Sequence, residues 1–227
     1  MIQIDKEKKM LKDELNEMWT LVNNQIEKAK LALLDFDKNA ASEVRSNEKR
    51  VDAFELTLDR DSESVILLQN PVAIDLRFIV ATLKINYNLE RIGDYANKIA
   101  KVVYKKDEEF DATILKELKV AEIFENVQDM LQEGLDAFQN DDKAEMLSLF
   151  DKDSKLDKLY ADAYDATVEY GMNHPEKMAD LLRTITSLKM LERAGDHLLN
   201  IAEEFVFYKD AEIIKHARLR KDDQNPV

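Results

Sequence analysis

Leu89–Lys101 reads LERIGDYANKIAK, and Leu191–Glu204 reads LERAGDHLLNIAEE. The shared pattern Leu-Glu-Arg-x-Gly-Asp decides how the chain is read. Each copy lies in a stretch of helical apolar spacing, yet each holds a glycine, which costs ~1 kcal/mol against alanine inside a helix. Each also sets two acids four residues apart, on one helix face, where like charges repel. Seven identities recur at an offset of 102: Leu89, Glu90, Arg91, Gly93, Asp94, Ile99 and Ala100 match Leu191, Glu192, Arg193, Gly195, Asp196, Ile201 and Ala202. One helix earlier, EKRVDAF from Glu48 parallels DSKLDKL from Asp153 at an offset of 105. Two motifs repeated in the same order imply duplication of a helical unit.

The rest of the sequence supports an all-α fold. Only four Gly and three Pro in 227 residues leave few turns, so the elements must be long. Polar breaks predict six helices near residues 6–35, 38–68, 71–106, 112–139, 142–171 and 175–208. Asn70-Pro71 reads as an N-cap followed by Pro at the first helical position. Asn173-His174-Pro175-Glu176 is close to a capping box, and Gly171 before it suits a left-handed C-cap. Val44, Val51, Leu58 and Val65 recur every seven residues, as do Leu149, Leu156, Ala163 and Tyr170. Such stripes favour long antiparallel helices in bundles. The expected organisation is therefore two tandem three-helix bundles, 1–108 and 109–210, with a C-terminal tail at 211–227. The third helix has two apolar rows: Ile74, Phe78, Ala81, Ile85, Ile92 and Ile99, with Leu76, Ile79, Leu83 and Leu89 beside them. So wide an arc predicts a central helix with more than one neighbour, in the other half or in a second subunit.

Charge narrows the function classes. A net charge of -14 disfavours nucleic acid, which is gripped through Lys and Arg, and suits cations or basic partners as well as simple solubility. With no Cys there are no thiolate sites or disulfides, as in a reducing cytoplasm. The N-terminal stretch lacks an apolar signal core, and no run approaches the ~18–20 apolar residues of a membrane span.

Four acid pairs stand out: Glu48/Asp52, Glu90/Asp94, Asp153/Asp157 and Glu192/Asp196. In the first half both pairs lie about 20 residues from the turn at Asn70, level within ~3 Å at ~1.5 Å rise per residue. Around Asn173 the second-half pairs agree within ~4.5 Å. Their rotation sets them beside the apolar stripes, in surface grooves between helices rather than in the dry core. Carboxylates brought together there need protonation, pairing with Arg50, Arg91 or Arg193, or a bound cation. All-oxygen donors suit Mg²⁺, Mn²⁺, Ca²⁺ or iron. Spacing alone leaves ion-paired faces and a metal site level, and repetition in both halves tips the reading toward metal. Gly93 and Gly195, beside the acids, would let a neighbouring helix approach closely. A di-metal enzyme on a four-helix bundle needs Glu-x-x-His, and those positions hold Gly93 and Gly195. His174, His197 and His216 fit neither slot, although His197 follows Asp196 and could graze the second site.

LLQNPVAIDLRFIVATLKINYNLERIGDYANKIA, residues 67–100, resembles the signature region of the PhoU family of phosphate-uptake regulators. LERAGDHLLNIAEEFVFYKDAE, residues 191–212, resembles its closing motif. The resemblance runs over almost the whole chain. It implies paired three-helix bundles whose E(D)-x-x-x-D motifs bind metal, here Glu48, Asp52, Glu90, Asp94, Asp153, Asp157, Glu192 and Asp196, with a divalent or iron cation (Fe, Mn, Mg, Ca or Zn). It implies a non-enzymatic negative regulator of phosphate uptake and of the phosphate-starvation response. Its partners would be the ATPase subunit of a phosphate transporter and a phosphate-sensing histidine kinase. A cytoplasmic homodimer, at the membrane only through partners, is expected. The chain departs from the family pattern at Asn88, where Asp is common, and at Lys98, where Asn is usual; Asn200 keeps it in the second half. YKDAE lacks the usual glycine. Lys98, one turn beyond Asp94, could compete with a cation. A metal-free acidic scaffold for basic partners is the alternative.

Overall fold

A computed structural model describes residues 2–211. Among the described residues all regular structure is helical. The helices are α1 (Ile2–Leu34), α2 (Lys38–Gln69), α3 (Ile74–Lys105), α4 (Ala112–Glu117), α5 (Val120–Asn140), α6 (Lys143–Asn173) and α7 (Met178–Asp210), with a 3-10 turn at Pro175–Lys177. Beyond Ala211, the expected tail and His216 lie outside the described residues.

Three aspartates start helices. Asp37 accepts from the amides of Asn39 and Ala40, Asp142 from Ala144 and Glu145, and Asp111 from Thr113. Each thereby satisfies amides that the first turn leaves unbonded.

Other boundaries differ from the sequence reading. Asn70 caps the end of α2 in a left-handed conformation, φ 49°, rather than opening α3. Pro71 to Ala73 make the connection, with Ala73 at φ 47°, and α3 starts at Ile74. The next expected helix is broken at Lys119, φ 50°, into α4 and α5. The break lets Ile114, Leu118 and Val120 all reach the core, which one straight helix would not bring to one side. Gly171 is not a left-handed cap. It lies inside α6, where a Cβ would stand 2.9 Å from the Met178 methyl. Its bareness serves packing, and Asn173 is the last residue of α6 rather than an N-cap.

α1, α2 and α3 pack on one another, as do α5, α6 and α7. Two seams join these bundles. α3 runs against α7, and partners climb one helix as they descend the other: Phe78 with Tyr208, Lys84 with Glu204, Asn88 with His197, Lys106 with Asp180. The helices are therefore antiparallel. α1 meets α5 likewise, through Lys12 with Gln139, Trp19 with Leu131 and Lys30 with Gln128. α3 thus touches α1, α2 and α7, the central position its wide apolar arc predicts. Phe78, Ile79, Ala81, Ile85, Leu89, Ile92 and Ile99 are buried, whereas Ile74 and Leu76 at its first turn are exposed.

Trp19 anchors the α1–α5 seam. It is wholly buried, donates its indole N–H to the Leu131 carbonyl at 3.0 Å, packs on Phe138, and fits against the bare backbone of Gly134. Trp19→Ala should lower unfolding stability by about 3–5 kcal/mol, read from urea denaturation followed by circular dichroism.

Candidate functional site

Val51, fully buried, fixes the rotation of α2 so that Glu48 borders α3, while Asp52, one turn on, is exposed. Glu90 and Asp94 come from the facing side of α3. Burial raises the Glu48 carboxyl above its ordinary range. Hydrogen bonds from Asn97 and Gln25 oppose this, and the charges of Asp94 and Asp52 add to it. The Gln25 amide donates to Glu48 Oε2 at 3.3 Å. Glu90 is pushed up to about 7 by burial and by the field of Glu55, with Asp94 and Glu48 adding and Arg91 opposing. The two acid pairs of the first half thus share one electrostatic environment. Glu55 belongs to it too. With Glu48, Asp52 and Asp59 it forms a track at spacings of four, three and four along α2, a signal that matching i,i+4 pairs alone passes over. Burial, then Asp59 and Asp52, raise Glu55 in turn.

Asp94 is neutralised from within. Lys98 Nζ stands 2.7 Å from its Oδ2, and Arg91 donates to the same oxygen at 3.4 Å. Arg50 turns instead to Asn47 at 3.3 Å.

The second furrow lies between α6 and α7. Asp153 is wholly buried, which corrects the expectation that all eight acids sit in surface grooves. It falls between Leu149 and Leu156 on the inward face of α6, and an aspartate is too short to reach out from there. Its Oδ1 lies 2.7 Å from where a Cβ on Gly195 would be, so the glycine makes room for it. Asp157 and Asp196 are exposed. Lys189 Nζ is 2.6 Å from Glu192 Oε2, an ion pair angled away from hydrogen-bond geometry.

Both furrows are shaped by the repeated glycine. At Gly93 a Cβ would meet Gln25 Oε1 at 2.8 Å and Val51 Cγ1 at 3.3 Å; at Gly195 it would meet Leu156 Cδ2 at 2.5 Å. Val51 and Leu156 are repeat equivalents, so the same close approach occurs twice.

As a donor set for a hard cation the furrows fit in chemistry, offering carboxylate and amide oxygens at half-buried positions. In arrangement they are not a ready cage: among the described residues no three Asp, Glu or His side chains are gathered as one ion requires. An ion held by Glu48, Asp52, Glu90 and Asp94 would have to draw them together and turn Lys98 away.

His197 does not face the second acid site. It bridges the bundles, with Nδ1 2.7 Å from Asn88 Oδ1 and Nε2 3.2 Å from the Tyr95 hydroxyl. Burial, then Arg91 and Arg193, push it down to about 4, so it is neutral near pH 7. The amide oxygen assigns the proton to Nδ1, leaving Nε2 to accept from Tyr95. Asn88, one of the chain's departures from the pattern it resembles, supplies this contact.

Tandem antiparallel three-helix bundles, each with an acid furrow bordered by a helix-interior glycine, define a class of duplicated all-helical proteins. A PhoU domain model matches residues 15–103 and again 120–205. The chain belongs to the PhoU family. It is 32% identical over 226 residues to the phosphate-specific transport system accessory protein PhoU homolog of Pseudomonas aeruginosa, covering 98% of this chain and 93% of that one. It is 30% identical to the homolog of Borreliella burgdorferi, covering 92% and 96%. The crystal structure of PhoU from Pseudomonas aeruginosa superposes with a TM-score of 0.83 at 32% identity, over 92% of this chain and 99% of that one. That of the phosphate transport system regulatory protein PhoU from Streptococcus pneumoniae gives 0.80 at 26% identity, over 93% and 99%.

Two outcomes follow from the site. Gly195→Ala should cost about 1–3 kcal/mol in urea denaturation through overpacking against Leu156 and Asp153. Gly93→Ala should cost less, because the end of the Gln25 side chain can swing aside. For Glu90, a folded-state value near 7 lies above that of the unfolded chain. The folded protein therefore binds more protons between about pH 4.5 and 7, and stability falls as pH rises through that window. Glu90→Gln should raise stability at pH 8 by on the order of 1 kcal/mol, allowing for solvent screening at a half-buried site, and give no gain at pH 4.5.

Proposed function

We propose that the chain is an accessory protein of a high-affinity phosphate transport system and a negative regulator of the phosphate-starvation response. The observation that carries this reading is the match, over nearly the full length of both partners, to phosphate-specific transport system accessory proteins. In this reading the protein is an adaptor on the cytoplasmic side. Its long helical faces contact the transporter's ATPase subunit and a phosphate-sensing histidine kinase, and it works as a homodimer. Among the described residues no helix is long and apolar enough to cross a membrane, so docking at the transporter would run through protein contacts. The role is mechanical and electrostatic rather than catalytic. Gly93 and Gly195 stand where a di-metal bundle enzyme would place its histidines.

Within the same reading the acid furrows take hard cations, with iron, Mn, Mg, Ca or Zn as the candidates. Support comes from the oxygen-only donors and from half-burial, with neighbouring carboxylates adding, that raises Glu48, Glu55 and Glu90 together. A bound cation would supply positive charge that orders the furrow as a docking face; Glu48, Asp52, Glu90 and Asp94 would hold it in the first half, and Asp153, Asp157, Glu192 and Asp196 in the second. A second reading, a metal-free acidic scaffold for basic partners, is favoured by the lysines already seated on Asp94 and Glu192.

One experiment separates these. Deleting the gene should derepress phosphate-regulated expression, and the wild-type gene should restore repression. Protein purified from the complemented strain should carry a transition metal at fixed ratio, lost in the Asp94→Ala, Asp196→Ala double variant. Unchanged expression in the deletion strain overturns the regulatory role. Full repression by a metal-free double variant leaves the scaffold reading.

A further inference from the structure

The two furrows are not charged alike, and the difference follows a rule. In the first, Lys98 reaches back one turn along α3 to Asp94, 2.7 Å from Oδ2, with its ammonium 5.1 Å from the centre of the Tyr95 ring. An acid four residues before a lysine is the favourable order on a helix. The repeat equivalent of Lys98 is Asn200, which is uncharged and turns across the seam to Asn88 Oδ1 at 3.4 Å. In the second furrow the lysine sits at the other end of the motif. Lys189 reaches forward one turn along α7 to Glu192 at 2.6 Å, with its ammonium 5.1 Å from the centre of the Tyr160 ring. The repeat equivalent of Lys189 is Tyr87, also uncharged. Each repeat therefore keeps a lysine beside its Glu-x-x-x-Asp pair, laid over a tyrosine, but seats it on a different acid.

We infer that Lys98 and Lys189 are tethered counter-ions, ammonium groups supplied by the chain itself that make each acid furrow stable without metal and turn cation entry into a displacement. A single exposed ion pair contributes little. In the first furrow Asp94 stands among Glu48, Asp52, Glu55 and Glu90, whose charges act on one another across the α2–α3 contact, so removing the cation uncovers the repulsion of the group; in the second, Glu192 shares a helix face with Asp196 one turn on, and the ammonium offsets that like charge. The stems of both lysines are half-exposed, with side-chain exposures of 42% and 37%, so each can swing out to solvent when a stronger cation arrives. The displacement clause rests on the metal reading above; the counter-ion clause does not.

The test is the Lys98→Gln, Lys189→Gln double variant of the full chain, which keeps most of each stem and drops the charge. After metal removal with a chelator, its melting temperature at low ionic strength should fall about 2–4 °C below wild type, and the gap should close at high salt, where repulsion is screened. A loss of packing alone would persist at high salt. Titration with Mn²⁺, following free Mn²⁺ by electron paramagnetic resonance, should show about tenfold tighter binding by the double variant, because a fixed positive charge has been taken from the site. A salt-dependent loss of stability with no Mn²⁺ binding by either protein keeps the counter-ions and sinks the metal reading. Equal Mn²⁺ affinity in both proteins with no salt-dependent loss keeps the metal reading and overturns the inference. Unchanged melting at both salt concentrations with no Mn²⁺ binding overturns both.

Discussion

Two helices in each bundle approach closely at a glycine, and each carries acids beside the contact. That crowding sets most of what is distinctive about the molecule. The apolar contacts of Gly93 with Val51 and of Gly195 with Leu156 bring the backbones together. The carboxylates beside them inherit a separation they would not choose. The chain answers in three ways. Glu90 is pushed toward the protonated form, Glu48 is held by neutral amides, and Asp94 and Glu192 are matched by lysines. Burial of apolar side chains along helices of more than thirty residues outweighs the repulsion, since each fully buried large side chain contributes about 1.5–3 kcal/mol and like-charge pairs cost tenths.

The duplicated motif and the seven-residue stripes made the all-helical repeat legible, and the wide apolar arc of α3 its central place, because long periodic segments leave little choice of partner. Local chain reversals were harder. Asn70 precedes Pro71, and the pair reads equally well as a helix start or a helix end; the left-handed backbone at Asn70 settles it as an end. The break at Lys119 has no glycine or proline to announce it. It comes from the tertiary demand that Leu118 and Val120 both be buried. Around the acids, spacing gave the height of each pair but not its depth. Depth depends on side-chain length and on which neighbour is missing a Cβ, and so Asp153 came out in the interior while Asp52 stayed outside. Glu55 lay within the local spacing of α2, but the bridging role of His197 depends on contacts between helices far apart in sequence, which no window along the chain contains.

The seams between bundles differ in kind from the furrows. Along α3 and α7 the contacts are mixed: a buried Glu204 paired with Lys84, a neutral histidine between an amide and a phenol, and Lys106 with Asp180. Such groups demand specific partners, so the bundles dock in one register rather than sliding along apolar ridges. The furrows, in contrast, carry exposed acids as well as the buried Asp153, and the lysines paired with Asp94 and Glu192 are partly exposed. A rigid seam with adjustable outer faces lets charge change on the surface without altering how the halves sit.

Trp19 is the chain's only tryptophan, and it is sealed at the α1–α5 seam. Its indole therefore works as a built-in optical gauge of one boundary. Parting of the bundles would wet the ring and move its emission to longer wavelength, while events confined to the furrows would leave the emission unmoved. The placement gives a label-free way to tell a protein that opens along its seam on meeting a partner from one that rearranges only its outer charges.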